Sequence, residues 1–141
     1  MTSSYALDNP VKVTPTVRPQ GSMNINVATR YIAEQSEPEK SRYVFNYTIT
    51  ITNQFAQPIT LRSRHWLITN DDNSKVEVTG DGVVGQQPTI APQKSYQYTS
   101  GVVLTGPVGS MEGHYDMEHH DSSSFRAQIP AFTLAVPNVI N

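Results

Sequence analysis

From residue 24 onward, apolar and polar side chains alternate. Ile25, Val27, Thr29 and Tyr31 share one parity, and Asn26, Ala28 and Arg30 the other. Successive side chains of a strand point to opposite faces, so a period of two predicts a β-strand. The pattern is clearest further on. Tyr43, Phe45, Tyr47, Ile49 and Ile51 fall on one face, and Val44, Asn46, Thr48, Thr50 and Thr52 on the other. An apolar face backed by Asn and Thr is the pattern of an antiparallel sheet buried on one side. Between these strands, residues 34–41 read Glu-Gln-Ser-Glu-Pro-Glu-Lys-Ser and predict a charged turn.

Residues 53–58 break the second strand. A short strand is predicted over 59–61 and a separate one over 64–69, with Trp66 and Ile68 on one face and His65 and Leu67 on the other. A lone Trp on a central strand is the usual core anchor of a sandwich. Asp71-Asp72-Asn73-Ser74 predicts a turn, from which residues 75–79 return as a hairpin. Residues 80–92, rich in Gly and Pro, predict a long loop. Tyr96 and Tyr98 resume the alternation, which continues to Leu104, and residues 109–118 alternate again. After a turn over 119–124, Phe125, Ala127 and Ile129 are followed by Phe132, Leu134 and Val136 on the opposite parity. Pro130 sits at that change of phase, where a bulge or a sheet edge is expected.

No stretch shows the period of a capped helix, and no repeat is present. About seven to eight short strands with regular turn signals predict an all-β protein, an antiparallel sandwich or barrel. Residues 1–21 carry Pro10, Pro15 and Pro19 and only a weak strand signal at Val11 and Val13. They are expected to form a flexible arm ahead of a single domain over 22–141.

Composition narrows the function. At 141 residues the chain suits one domain with its own core. It contains no Cys, which excludes disulfides, thiolate metal sites and a cysteine nucleophile. Only 16% of residues are charged, against about 25% in an average domain. The net charge of -2 argues against nucleic acid as partner. The uncharged stretch 95–111 holds Gly101, Gly106, Pro107 and Gly109 and is no spanning helix. Residues 1–20 lack the apolar core of a secretory signal. A soluble cytoplasmic protein without membrane insertion is expected.

Two patterns could carry chemistry. Gly80-Asp81-Gly82-Val83-Val84-Gly85 spells G-x-G-x-x-G. The motif binds a dinucleotide where it opens a helix, so that the pyrophosphate meets the helix N-terminus. Here Gln86-Gln87-Pro88 follows, no helix can be drawn, and residues 101–109 lack the expected carboxylate. Gly80, Gly82 and Gly85 therefore read as a tight β-connection that needs positive φ, with a backbone anion site as the alternative.

The second pattern is Glu112, His114, Asp116 and Glu118, which alternate with Met111, Gly113, Tyr115 and Met117. Same-face neighbours stand about 6.5–7 Å apart along a strand. Glu112, His114 and Asp116 could thus converge on a cation, with His119 joining from the turn. Such a set suits Mg²⁺ weakly and Co²⁺ or Ni²⁺ better. A solvated polar face is the alternative. Arg62, Arg64 and His65 form a compact basic group, readable as solvent-facing side chains at a strand end or as a contact for an anion or acidic peptide. No G-x-S-x-G surrounds any serine, so neither an enzyme nor a cofactor is expected.

Several runs together carry a resemblance. They are Trp66-Leu-Ile-Thr-Asn, Glu77-Val-Thr-Gly-Asp-Gly-Val-Val-Gly-Gln-Gln-Pro88, Tyr96-Gln-Tyr-Thr-Ser-Gly101, Gly109-Ser-Met-Glu-Gly-His-Tyr-Asp-Met117 and Ile129-Pro-Ala-Phe-Thr-Leu-Ala-Val-Pro137. In this combination the chain resembles the ApaG family over residues 23–140. The resemblance implies a fibronectin-III-like or Ig-like β-sandwich. It implies a link to cobalt resistance and magnesium efflux without enzymatic activity, and a protein-interaction module whose protein partner is unidentified. It also implies a suspected nucleotide or pyrophosphate role for Gly80, Gly82 and Gly85, and it gives His119 and His120 no family role. The chain departs from the family pattern at Gln93 and Ser74, where the family often has Gly.

Overall fold

The computed structural model describes residues 21–138. The arm expected over 1–21 lies outside them, apart from Gly21. Eight strands form: β1 Met23–Tyr31, β2 Tyr43–Asn53, β3 Ile59–Asn70, β4 Lys75–Asp81, β5 Thr89–Ile90, β6 Ser95–Leu104, β7 Val108–His119 and β8 Ser124–Ala135. They build two antiparallel sheets, packed as a β-sandwich. One has the order β1-β2-β6, and the other β4-β3-β7-β8 with β5 also paired to β3. The charged turn holds two single 3-10 turns, Ala33–Gln35 and Pro38–Lys40. Among the described residues no helix is long and apolar enough to cross a membrane.

The alternation read from the sequence is the alternation of burial. Phe45, Tyr47, Ile49 and Ile51 of β2 are buried and meet Trp66, Tyr115 and Leu134 from the other sheet in one core. Trp66 is its centre, with Tyr47 at 5.4 Å, Phe132 at 5.9 Å and Tyr115 at 6.5 Å between ring centroids, all inclined rather than stacked. Inclined rings set the positive edge of one against the negative face of another. Inside the core the hydroxyls of Tyr98 on β6 and Tyr115 on β7 share a 2.5 Å hydrogen bond that ties the two sheets. Asn53, at the end of β2, is fully buried. Its amide donates to the carbonyls of Gln57 and Ile90 and its side-chain oxygen accepts from the Phe55 amide. Each polar group buried there has a partner, which removes the cost of taking it out of water.

Three sequence expectations are corrected. Residues 59–61 and 64–69 belong to one strand, β3, rather than two. The pairing slips between Leu61 and Ser63 against β7, which is a β-bulge at Arg62. The buried parity changes there, from Ile59 and Leu61 to Trp66 and Ile68, so a single strand looks like two. The expected loop over 80–92 is partly sheet, since β4 runs to Asp81 and β5 pairs with β3 at Ile59 and Thr60. Two residues alternate too briefly to be seen as a strand. The residues on either side of Pro130 form one strand, β8. It lies at the sheet edge, and its pairing with β7 slips between Met111 and Gly113. The change of phase at Pro130 is therefore both a bulge and an edge.

The closest backbone approach is at Gly113, where a Cβ would collide with the carbonyl oxygen of His65 on β3. At Gly101 the nearest atoms to an added Cβ stand at 3.5 Å, an ordinary contact. Gly113→Ala should therefore cost about 3 kcal/mol or more through forced strand separation. Gly101→Ala should change stability by less than about 1 kcal/mol. Urea unfolding of the two variants checks the contrast; equal losses would refute it.

Candidate functional site

The outer face of the larger sheet carries the polar row. Glu112, His114, Asp116 and Glu118 point away from the core while Met111, Tyr115 and Met117 enter it. His114 stacks on its cross-strand neighbour His65 with centroids 4.9 Å apart and planes 7° from parallel. His65 Nε2 lies 3.2 Å from Glu77. Asp116 accepts a 2.7 Å hydrogen bond from Ser63 and stands 3.7 Å from Arg126 and 3.9 Å from His114. Arg62 donates to Glu118 at 2.7 Å.

Of the four cation candidates, the structure brings together His114 and Asp116. Glu112 is exposed on the same face without a polar partner among the described residues. His119 has the parity of Met117, not of His114. Its ring packs against Phe55 at 5.2 Å and Phe125 at 4.8 Å, on the side away from the row. Among the described residues, no three His, Asp or Glu side chains are grouped to hold a metal ion. Sequence spacing missed His65, because its neighbour in space lies on another strand.

The glycine motif is a turn built on the β3 bulge. Gly80 is within β4, and its bare Cα leaves room for the Arg64 guanidinium, whose atoms would stand 2.8–3.0 Å from a Cβ. Gly82 has φ 63°, and a Cβ there would collide with the Gln86 carbonyl. Val84 and Gly85 have φ 47° and 77°. They are the centre of a two-residue turn closed by reciprocal hydrogen bonds between Val83 and Gln86, at 2.8 and 2.9 Å. Positive φ at both centre residues is the hairpin geometry that matches strand twist. The Gly82 amide donates to Arg62 at 2.7 Å. Amides of Gly82, Val83 and Gln86 are thus committed within the protein.

A third feature was not legible in the sequence. On the side where edge strands β4 and β6 face each other, a cleft of about 220 Å³ opens between the sheets. Tyr47, Arg64, Trp66, Val78, Ser100 and Val102 line it. These come from four strands, so no local pattern announces them. Arg64 Nη1 donates to the carbonyls of Asp81 at 3.1 Å and Gly82 at 2.9 Å. Burial pushes the Tyr47 phenol up, while its hydrogen bond to Ser100 and the charge of Arg64 act the other way.

Comparison with known proteins gives a consistent result. The family model described as DUF525, ApaG domain, matches residues 33–119. Protein ApaG of Shewanella pealeana is 51% identical over 120 residues, covering 85% of this chain and 95% of that protein. Protein ApaG of Pseudomonas aeruginosa is 52% identical over 122 residues, covering 86% and 97%. The crystal structure of the putative ApaA protein from Bordetella pertussis is 42% identical. It superimposes with a TM-score of 0.82 over 87% of this chain and 99% of that one.

Burial of His114 generates a pH dependence. The His114 side chain is 14% exposed. Desolvation first, then the charges of Arg126 and His65, hold its pKa below the ordinary imidazole value, against the opposing pull of Asp116. The unfolded chain then takes up a proton at a pH where the folded chain does not, so this contribution to stability is lost as pH falls through the ordinary histidine value. His114→Gln should flatten the loss of unfolding free energy between about pH 7.5 and 5.5. Urea midpoints across that range check this; parallel profiles for the two proteins would overturn it.

Proposed function

The chain belongs to the ApaG family, and from that premise we propose that it is a non-enzymatic protein-interaction module. One observation supports this most. The large apolar side chains left exposed among the described residues are Val76 on β4, Val84 in the glycine turn and Val103 on β6, at 48%, 61% and 48%. Val76 and Val103 lie on the edge strands β4 and β6, and Val84 in the turn that follows β4. Val84 is the telling one. A β-branched residue at φ 47° is a backbone outlier. Left-handed backbone costs an L-residue roughly 1–2 kcal/mol. The turn bears that cost while buried Val83 and Gly82 hold it in place. Strain retained at an exposed tip is characteristic of recognition sites.

A partner protein that meets this side can use the open strand edges as well as the valines. The link to cobalt resistance and magnesium efflux that the resemblance implies then runs through the partner, in the cytoplasm. Neither the Glu112–His114–Asp116 row nor the Gly80–Gly85 turn carries an observation that favours metal or nucleotide binding over this reading.

Photo-crosslinking in cells tests it. A photoreactive residue at position 103 should give a discrete adduct with one protein. The same residue at position 28, on the far edge strand β1, should not. Adding Val84→Gly should reduce the adduct roughly fivefold or more, while stability stays level or rises by up to about 1 kcal/mol as the strain is relieved. Equal labelling from positions 103 and 28, or an adduct indifferent to Val84→Gly, would refute the proposal.

A further inference from the structure

The cleft between β4 and β6 has the chemistry of a ligand site. Its volume of about 220 Å³ lies below the roughly 300–1,000 Å³ of drug-sized sites, which restricts the occupant to a small molecule. Its charge is positive and uncompensated. Arg64 gives Nη1 to two carbonyls, and among the described residues no carboxylate lies within ion-pair distance of its guanidinium. A half-buried cation without a counter-ion is costly, and an anion bound there offsets that cost.

The polar groups around it are donors. Trp66 lines the cleft with its ring, and its indole Nε1–H is covered by protein. The hydroxyls of Tyr47 and Ser100 are hydrogen-bonded to each other, which leaves one of them free to donate. The remaining walls, Ile68, Val78, Val102 and Met111, are apolar. A head that only accepts hydrogen bonds, carries one negative charge and continues into an apolar body matches all three properties. The guanidinium fork binds such a head in the plane of its two oxygens.

We propose that this cleft binds a small aliphatic carboxylate, its carboxylate held by the free edge of Arg64 and its chain against Val78 and Val102. Phosphate shares the anionic chemistry but has no body to cover the apolar wall, and a fatty alcohol has the body without the charge.

Trp66 is the only tryptophan of the chain, so it reports the cleft directly. Hexanoate titrated into the full chain should shift Trp66 emission and the indole N–H resonance saturably, with a Kd on the order of 1 mM. Hexan-1-ol and inorganic phosphate should each bind at least about tenfold more weakly. Arg64→Gln should lose roughly tenfold and Arg64→Lys less. No saturation by about 20 mM hexanoate, or equal binding of hexanoate and hexan-1-ol, would overturn the proposal. So would phosphate binding as tightly as hexanoate, or an Arg64→Gln protein with dispersed spectra and unchanged affinity. If Arg64→Gln does not fold, the comparison of the three probes on the unmodified chain decides.

Discussion

One extra residue in β3 sets the direction of the side chains that matter. Leu61 pairs with Met117 and Ser63 with Asp116, so the backbone of Arg62 has no register partner on β7. Because side chains alternate between faces, a single inserted residue exchanges the two faces of a strand. Ile59 and Leu61 enter the core before it, and Trp66 and Ile68 after it. The same exchange brings Arg64 to the inner side and His65 to the outer. Without the bulge, a strand with Ile59 and Leu61 in the core would turn Trp66 to solvent, and neither the aromatic centre nor the cleft beside it would exist.

The bulge also accounts for the glycine motif. Its free carbonyl, on Arg62, accepts hydrogen bonds from the Gly82 amide at 2.7 Å and the Gln87 side chain at 2.9 Å. The chain there leaves β4 and rejoins β3 as β5. Gly80 makes room for Arg64, Gly82 avoids the Gln86 carbonyl, and Gly85 takes a left-handed turn position. Each glycine is accounted for by a close approach or a positive φ. A G-x-G-x-x-G spelling therefore arises from β-hairpin sterics alone, and the helix that makes it a pyrophosphate site elsewhere has no counterpart here.

The legible part of the sequence was the part governed by local alternation. β2 could be read almost residue by residue, because Tyr43 to Asn53 meets a core on one face only. Trp66 was legible as the core anchor for the same reason. What local pattern could not show was pairing. The bulge at Arg62 made one strand resemble two, and the two residues of β5 alternate too briefly to stand out. Alternation puts Glu112, His114 and Asp116 on the right face, but His65, the stacked neighbour of His114, stands beside arginines in sequence and shows no link to the row. In sequence His119 looks like part of the turn that could bring it to His114. As the last residue of β7 it takes the opposite parity and packs on Phe55 and Phe125. The cleft was invisible, since its lining is drawn from β2, β3, β4 and β6 with Met111 of β7.

The outer face and the cleft differ in how they handle charge. On the outer face, Arg62 meets Glu118, His65 meets Glu77, and Asp116 has Ser63 and Arg126 nearby. Exposed pairs of this kind contribute little stability. Arg64 stands apart, since its partners are two backbone carbonyls. One of these belongs to Gly82, two residues before the strained Val84. The side chain that lines the cleft is thus also the one that holds the turn presenting Val84.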